Sequence, residues 1–272
     1  MGPGKRAVMR VPVRPLVALG LAGFGLWGVW PVFAAGLGMA GLSAARPSGL
    51  WAMGVPASLG LATGVCLAAL VGVAREKQDE RAGTAWCVLV LGALLAFAGV
   101  LLLLQGGQPL RCWFVLADHV RNGSPLSRGL ESMALLLPCY ALLWARAVRA
   151  GREGPRPAAL GSKALAMTAA ALAAWSLGSL LSPDLSPLDS LLGVAAGTGM
   201  LFWLPGSGQR MRGVALAHVV LSLFFFARLG LHAHLWEACG SLAQWAGISL
   251  ALAAALGSGL LGRRVLFKVK RG

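Results

Sequence analysis

Repeated long runs of apolar residues constrain the fold of this 272-residue chain more than any other feature. About 20 consecutive apolar residues suffice for a helix to cross a lipid bilayer. Hydrophobic residues make up 57% of the chain and charged residues 12%, against about 25% charged residues in soluble domains. Tyrosine occurs once, and Leu, Ala and Gly dominate, which argues against the alternating strands and aromatic girdles of an outer-membrane barrel. The sequence predicts an all-α, polytopic transmembrane helix bundle.

The apolar runs predict about eight spans, separated by short polar or basic segments such as the loop at 75–83 and the linker at 151–163. The first span is longer than the apolar core of a signal peptide, which has about 7–15 residues, so we expect it to be a retained helix. The predicted spans are 15–42, 49–74, 84–104, 129–148, 164–182, 188–204, 213–230 and 240–262.

The lysines and arginines predict the orientation. With the N-terminus in the cytoplasm, 19 of the 24 Lys and Arg residues fall on the cytoplasmic side of an eight-span chain. Cytoplasmic loops of membrane proteins carry such an excess of basic residues. We therefore expect a protein of the bacterial inner membrane. Both of its termini would lie in the cytoplasm, and the loop 105–128 would lie on the outside.

The net charge of +15 and the five cysteines each suggest an alternative role. The basic residues flank apolar spans, where they meet anionic membrane lipid, so we expect no nucleic-acid partner. No CxxC pair occurs, which argues against a thiolate metal site, and Cys66, Cys87 and Cys139 fit packing within the bundle. A transmembrane haem normally needs two facing histidines, and only His218 lies in a predicted span. We expect no haem and no metal in this chain.

Polar residues concentrate where the third predicted span ends and the fourth begins. Gln105 ends the third span, and Arg128 and Glu131 are three residues apart, so they share one face of the fourth. The pair fits a local salt bridge at the helix entry. It also fits a pocket at the membrane boundary for a quinol, which loses two electrons and two protons on oxidation. We predict a quinol pocket formed by Gln105, Arg111 and Arg128, with Glu131 and His119 as proton acceptors.

Two motifs resemble a known family. The segment GQPLRCWFVLADHVRNGSPLSRGLESMALLL and the tail GSGLLGRRVLF are similar to parts of dimethyl sulfoxide reductase-type (DmsC-like) membrane anchors, which are related to the NrfD/polysulfide reductase membrane subunits. Gln105 stands where the family has His or Asp, and Gly129 stands where many members have Glu. The residues that match the first motif are Gly107, Pro109, Leu110, Arg111, Trp113, Ser124, Leu126, Ser127 and Arg128.

The resemblance implies a domain division and a set of partners. Residues 1–45 would be a basic head with an added first transmembrane helix, and residues 46–272 a DmsC-like seven-helix domain. Anchors of this family hold a ferredoxin-like iron–sulfur subunit, which exchanges electrons with a molybdopterin catalytic subunit. The anchor itself binds menaquinol transiently. A small-solute transporter and a non-catalytic assembly scaffold are the alternative functions.

Overall fold

The computed structural model describes five helices, which cover residues 13–35, 50–74, 80–105, 125–153 and 242–268. They are α1 (Val13–Ala35), α2 (Leu50–Ala74), α3 (Glu80–Gln105), α4 (Pro125–Glu153) and α5 (Leu242–Lys268). This part of the chain is entirely helical, and four of its helices are long and apolar enough to cross a membrane: α1, α3, α4 and α5. The remaining helix, α2, carries no charged residue along its 25 residues. The predicted spans 164–182, 188–204 and 213–230 lie outside the described residues, so the count of eight stays a prediction.

The centre of the bundle is built from α2 and α3. Every described side chain of α2 is buried except at Gly54, which is partly buried. Its neighbour α3 packs against α2, α4 and α5. Buried leucines and valines from these helices form one continuous core with the inner faces of α1, α4 and α5: Val29, Val32, Val55, Leu59, Val65, Val88, Leu91, Leu101 and Leu136.

The first and last described helices pack together through glycine. A Cβ atom at Gly25 would lie 2.7 Å from the Leu250 Cβ and 2.9 Å from the Ala246 carbonyl oxygen, so the two backbones approach closely. One turn further along α1, Gly28 faces Ala246. Because rising numbers on α1 meet falling numbers on α5, the two helices are antiparallel. The predicted first helix is thus packed onto α5, the last of the described helices.

Trp51 connects α2 to α5. Its indole Nε1–H donates a 3.0 Å hydrogen bond to the carbonyl oxygen of Gln244, and its ring lies against Gly247. Both Trp51 and the Gln244 side chain are buried. Because Gly247 has no side chain, the indole can lie against the α5 backbone. The hydrogen bond to Gln244 then satisfies the only donor of the indole in an apolar setting.

Contacts of large side chains with glycine also show how α3 and α4 run relative to each other. Tyr140 lies over Gly92, where an added Cβ would be 2.7 Å from the Tyr140 hydroxyl oxygen. Met133 lies over Gly99, where the nearest methionine atom would be 3.1 Å away. Higher numbers on α3 therefore meet lower numbers on α4, and the two helices are antiparallel.

The helices extend beyond several of the predicted spans. The predicted end of the loop 75–83 is wrong, because α3 already begins at Glu80. The loop predicted at 105–128 is also too long, since α4 begins at Pro125, and α4 continues past residue 148 to Glu153, into the predicted linker. Apolar runs mark the part of a helix that crosses the bilayer, whereas helical hydrogen bonding continues into the polar flanks. Proline is favoured in the first turn, where its missing N–H costs nothing.

The close packing of α1 on α5 predicts that Gly25→Ala lowers the free energy of unfolding by about 1–3 kcal/mol, because backbone atoms of α5 must move away from the new methyl group. Gly23→Ala is the matched control, since nothing lies within 4 Å of its added Cβ. Alanine is the better helix former, so the control is expected to be neutral or stabilising by up to about 1 kcal/mol. Detergent unfolding monitored by circular dichroism measures both. Equal stability of the two variants would contradict the described packing.

Candidate functional site

The antiparallel register gives the bundle two chemically different ends. One, the tryptophan end, carries Trp27, Trp30, Trp51 and Trp245. Trp51 contacts α5 at Gln244 and Gly247, and Gly28 of α1 faces Ala246, so all four tryptophans lie at one level. Trp27 and Trp30 are exposed on the outside of the bundle. Tryptophan is enriched where a membrane meets water.

The opposite end, the basic end, carries Arg14, Arg146, Arg149, Arg263 and Arg264. Gly262 of α5 faces Trp144 of α4 and Leu89 of α3, which places the C-terminal parts of α4 and α5 beside the start of α3. Arg14 lies in the first turn of α1, which runs antiparallel to α5 and so begins at this end. Four of these arginines are exposed, and Arg146 is partly buried.

The candidate quinol site lies at the tryptophan end. Leu101 lies one turn before the end of α3 and packs over Gly54 of α2. Gly54 is three residues after Trp51 in the chain. Met133 of α4 meets Gly99 of α3. The last residue of α3, Gln105, and the first turn of α4, with Arg128, therefore occupy the same end of two adjacent helices. The structure brings these two positions to one end of the bundle, whereas Arg111 and His119 lie outside the described residues.

Glu131 lies on the outer face of α4. It is exposed, and it falls within the first turn of the stretch of α4 that is apolar enough to cross a membrane, Gly129–Arg149. Gly99 contacts α4 at Met133, about 200° around the helix from Glu131 at roughly 100° per residue. The carboxylate is thus exposed on the face of α4 that points away from Gly99, rather than enclosed between α3 and α4.

Ser132, the next residue, points into the bundle. Its side chain is fully buried, and within the described part of the chain its hydroxyl oxygen has no hydrogen-bond partner. By contrast, three hydroxyls of the described helices donate to the carbonyl oxygen four residues earlier: Ser58 to Gly54 at 2.7 Å, Thr63 to Leu59 at 2.9 Å and Ser249 to Trp245 at 2.9 Å. A buried polar group without a partner is rare in native proteins and calls for an explanation.

Sequence reasoning missed Ser132. A serine within an apolar helix is expected to bond to its own backbone, as Ser58 does, so its residue type carries no signal. Only the packing of α4 distinguishes it. Glu131 and Ser132 together place a proton acceptor and a hydroxyl on adjacent faces of one helix turn. The exposed carboxylate can accept a proton, whereas the Ser132 hydroxyl is buried and faces the inside of the bundle.

The cysteines within the described helices serve packing, as the sequence predicts. Cys66 of α2 and Cys139 of α4 are buried, and their thiols are hydrogen-bonded to each other across the helix interface. Cys87 of α3 is buried nearby. Among the described residues, no three His, Cys, Asp or Glu side chains come together as a metal site. All four histidines of the chain lie outside those residues, so the absence of haem stays a prediction.

The partnerless hydroxyl leads to a prediction about stability. Ser132→Ala removes a buried hydroxyl that has no hydrogen bond to lose, so the free energy of unfolding should be unchanged or higher by up to about 1 kcal/mol. Ser58→Ala is the control, because its hydroxyl donates to Gly54 and should cost about 0.5–1.5 kcal/mol on removal. Detergent unfolding of both variants decides the question. A larger loss at Ser132 than at Ser58 would mean that the Ser132 hydroxyl has a stabilising partner in the ligand-free protein.

Comparison with known proteins identifies no relative. No family model, no curated protein and no solved structure matches this chain. The resemblance to DmsC-like anchors therefore stays a prediction that depends on its two short motifs.

Proposed function

We propose that this chain is the membrane anchor and quinol-binding subunit of a molybdopterin and iron–sulfur oxidoreductase complex in the bacterial inner membrane. It would pass electrons between menaquinol and a ferredoxin-like iron–sulfur subunit, which exchanges them with the molybdopterin catalytic subunit. The basic end would face the cytoplasm and the tryptophan end the outside. The proposal rests on the motif residues between 107 and 128, together with the position of α3 and α4.

The observation that carries the proposal is the exposed carboxylate of Glu131 at the boundary of a candidate membrane span. An acidic side chain within the span of a membrane helix is costly and is usually retained for a function. Here it lies at the end of the bundle where α3 finishes and α4 starts, and it is accessible to a lipid-soluble donor. The motif residues Pro109 to Trp113 and Ser124 lie between these two helices in the chain, and Leu126 to Arg128 lie in the first turn of α4.

The residues have distinct roles in the proposed reaction. Oxidation of the quinol releases two electrons and two protons. The carboxylate of Glu131 accepts one proton, and His119, on the segment outside the membrane, accepts the other. Arg128 and Arg111 hold the quinol oxygens as hydrogen-bond donors, since a guanidinium stays protonated and cannot act as a base. Gln105 offers an amide to the ring. The electrons pass to the iron–sulfur subunit, which docks on the outer segment through its arginines and Trp113, both residue types that are enriched in interface hot spots.

An assembly scaffold without quinol chemistry is the second candidate function. It is favoured by two positions: Gln105 and Gly129 replace ionisable residues that the resembled family carries. Under this alternative, Glu131 pairs with Arg128 at the helix entry and affects only folding.

The two functions predict different outcomes for Glu131→Gln. If Glu131 accepts a proton, the variant should lower quinol-dependent turnover per assembled complex by roughly 100-fold, within the range of general acid–base catalysis. Activity with an artificial electron donor to the iron–sulfur subunit should stay normal. Glu153→Gln, at the opposite end of the same helix, is the matched control and should behave as the wild type. The measurement is quinol oxidation by the purified complex, normalised to its iron and molybdenum content.

A scaffold gives the opposite pattern. Glu131→Gln would then reduce the yield of folded chain and leave the activity per complex unchanged. Normal specific activity in the double variant Glu131→Gln, His119→Ala would exclude this quinol site. Purification of the chain without any iron- or molybdenum-containing partner would contradict the proposed complex itself.

A further inference from the structure

Two cysteines face each other across the interface between α2 and α4. Cys66 and Cys139 are fully buried, both are reduced thiols, and the two thiols are hydrogen-bonded to each other. Each lies on the buried stripe of its helix, in which buried residues recur every three or four positions. The stripe of α2 contains Leu59, Ala62, Cys66 and Ala69, and that of α4 contains Ser132, Leu136, Cys139 and Leu143. Cys66 and Cys139 are called the thiol pair below.

Helix packing independently places the thiol pair at one level of the bundle. Gly54 of α2 meets Leu101 of α3, and Gly92 of α3 meets Tyr140 of α4. Because α3 is antiparallel to both neighbours, each contact relates a position on α2 or α4 to a position on α3. The two cysteines then fall about four residues apart on the scale of α3, or roughly 6 Å along the bundle axis at about 1.5 Å per residue. The hydrogen bond between the thiols therefore agrees with the register of three helices.

The helices around the thiol pair are apolar at this level. α2 carries no charged residue, and α3 carries none after Arg81. On α4 the nearest charged residues are Glu131 and Arg146, each about two turns away. A thiolate, which is the form of cysteine that binds metals, would be a buried charge without a partner on these helices. Chemistry that begins and ends with neutral groups therefore suits the thiol pair better than metal ligation.

Oxidation to a disulfide is such a reaction. It removes two electrons and two protons from two neutral thiols and leaves a neutral S–S bond of about 2.0 Å, so thiols in hydrogen-bond contact need to move little. Cys139 lies in the interior of the candidate membrane span Gly129–Arg149, which favours an oxidant that dissolves in lipid. A quinone is lipid-soluble and takes up two electrons and two protons. Neither side of this exchange leaves a charge in the apolar interior, where it would be costly.

Pro138 gives α4 a point at which it can bend next to the thiol pair. Proline has no N–H, so it cannot make the helical hydrogen bond to the carbonyl oxygen of Ala134, and prolines are the commonest cause of helix kinks. Pro138 and Leu142 are exposed on α4, on either side of the buried Cys139 along the chain. A small opening of α4 at Pro138 would therefore expose the Cys139 sulfur to a reactant at the surface of the described helices.

We propose that the thiol pair is a redox couple, which a lipid-soluble quinone oxidises to a disulfide between α2 and α4. The two S–H bonds break, one S–S bond forms, and the quinone takes the two hydrogens as O–H bonds and becomes a quinol. The exchange needs contact with the sulfur atoms and not a second quinone-binding pocket. It goes beyond the proposed function and does not depend on it, because no residue of the candidate quinol site takes part.

The test uses the purified full-length chain, reduced and placed in phospholipid nanodiscs without oxygen. Excess decylubiquinone is added, the remaining thiols are alkylated after denaturation, and the peptides are identified by mass spectrometry. We expect a peptide in which Cys66 is linked to Cys139, a matching loss of the alkylated forms of both, and one quinol formed for each disulfide. The alkylated peptide that contains Cys87 should not change.

Cys87→Ala is the matched control, because it removes another buried thiol from the same part of the bundle. It should leave the linkage and the quinol yield unchanged, whereas Cys66→Ala should abolish both. The proposal would be overturned by a wild-type chain that gives no linked peptide with the quinone, by a linkage that forms only in air, or by a normal quinol yield from Cys66→Ala. Should Cys66→Ala not fold, Cys139→Ala replaces it, and a normal quinol yield there would be equally contradictory. Since the chain is tested without partner subunits, failure here leaves the proposed complex untouched.

Discussion

Close approach of helix backbones is the constraint on which this bundle depends. Lipid tails are as apolar as leucine, so burying leucine between membrane helices gains little, and association depends on packing and hydrogen bonds. Gly25 and Gly28 allow α1 to touch the backbone of α5, and Gly247 receives the ring of Trp51. The Trp51 indole then satisfies its donor on the Gln244 carbonyl, where no water competes. These contacts fix which helix ends lie together, and so they fix the two ends of the bundle.

The separation of the two ends connects the packing to the chemistry. Antiparallel pairing collects the arginines of α1, α4 and α5 at one end and tryptophans of α1, α2 and α5 at the other. The charge distribution in the sequence already suggests an orientation, but only the packing puts distant residues such as Arg149 and Arg263 at one level. The candidate quinol site lies at the tryptophan end, where basic residues are few in the described helices. There, Glu131 and the neighbouring Arg128 are the charged residues that α4 contributes.

Helix type and approximate position were predictable from the sequence, because a membrane helix is a long apolar run. The predicted spans at 49–74 and 240–262 agree with α2 and α5 to within a few residues at the start, whereas α3 and α4 extend into polar sequence that hydropathy does not mark. The charged residues near 128–131 were predictable for the same reason, as they interrupt an apolar pattern. The outward position of Glu131 and the partnerless hydroxyl of Ser132 could not be predicted from the sequence, since both depend on which face of α4 meets α3.

Photo-crosslinking with an azido-substituted menaquinone tests the central claim most directly. The complex is illuminated in membranes with and without an excess of menaquinol, and the modified peptides are identified by mass spectrometry. We expect labelling that menaquinol competes away, concentrated in the last turns of α3 and in the first turns of α4 around Glu131. Competed labelling at the basic end, near Arg149 and Arg263, or labelling that menaquinol does not reduce anywhere in the chain, would contradict a quinol site at the tryptophan end.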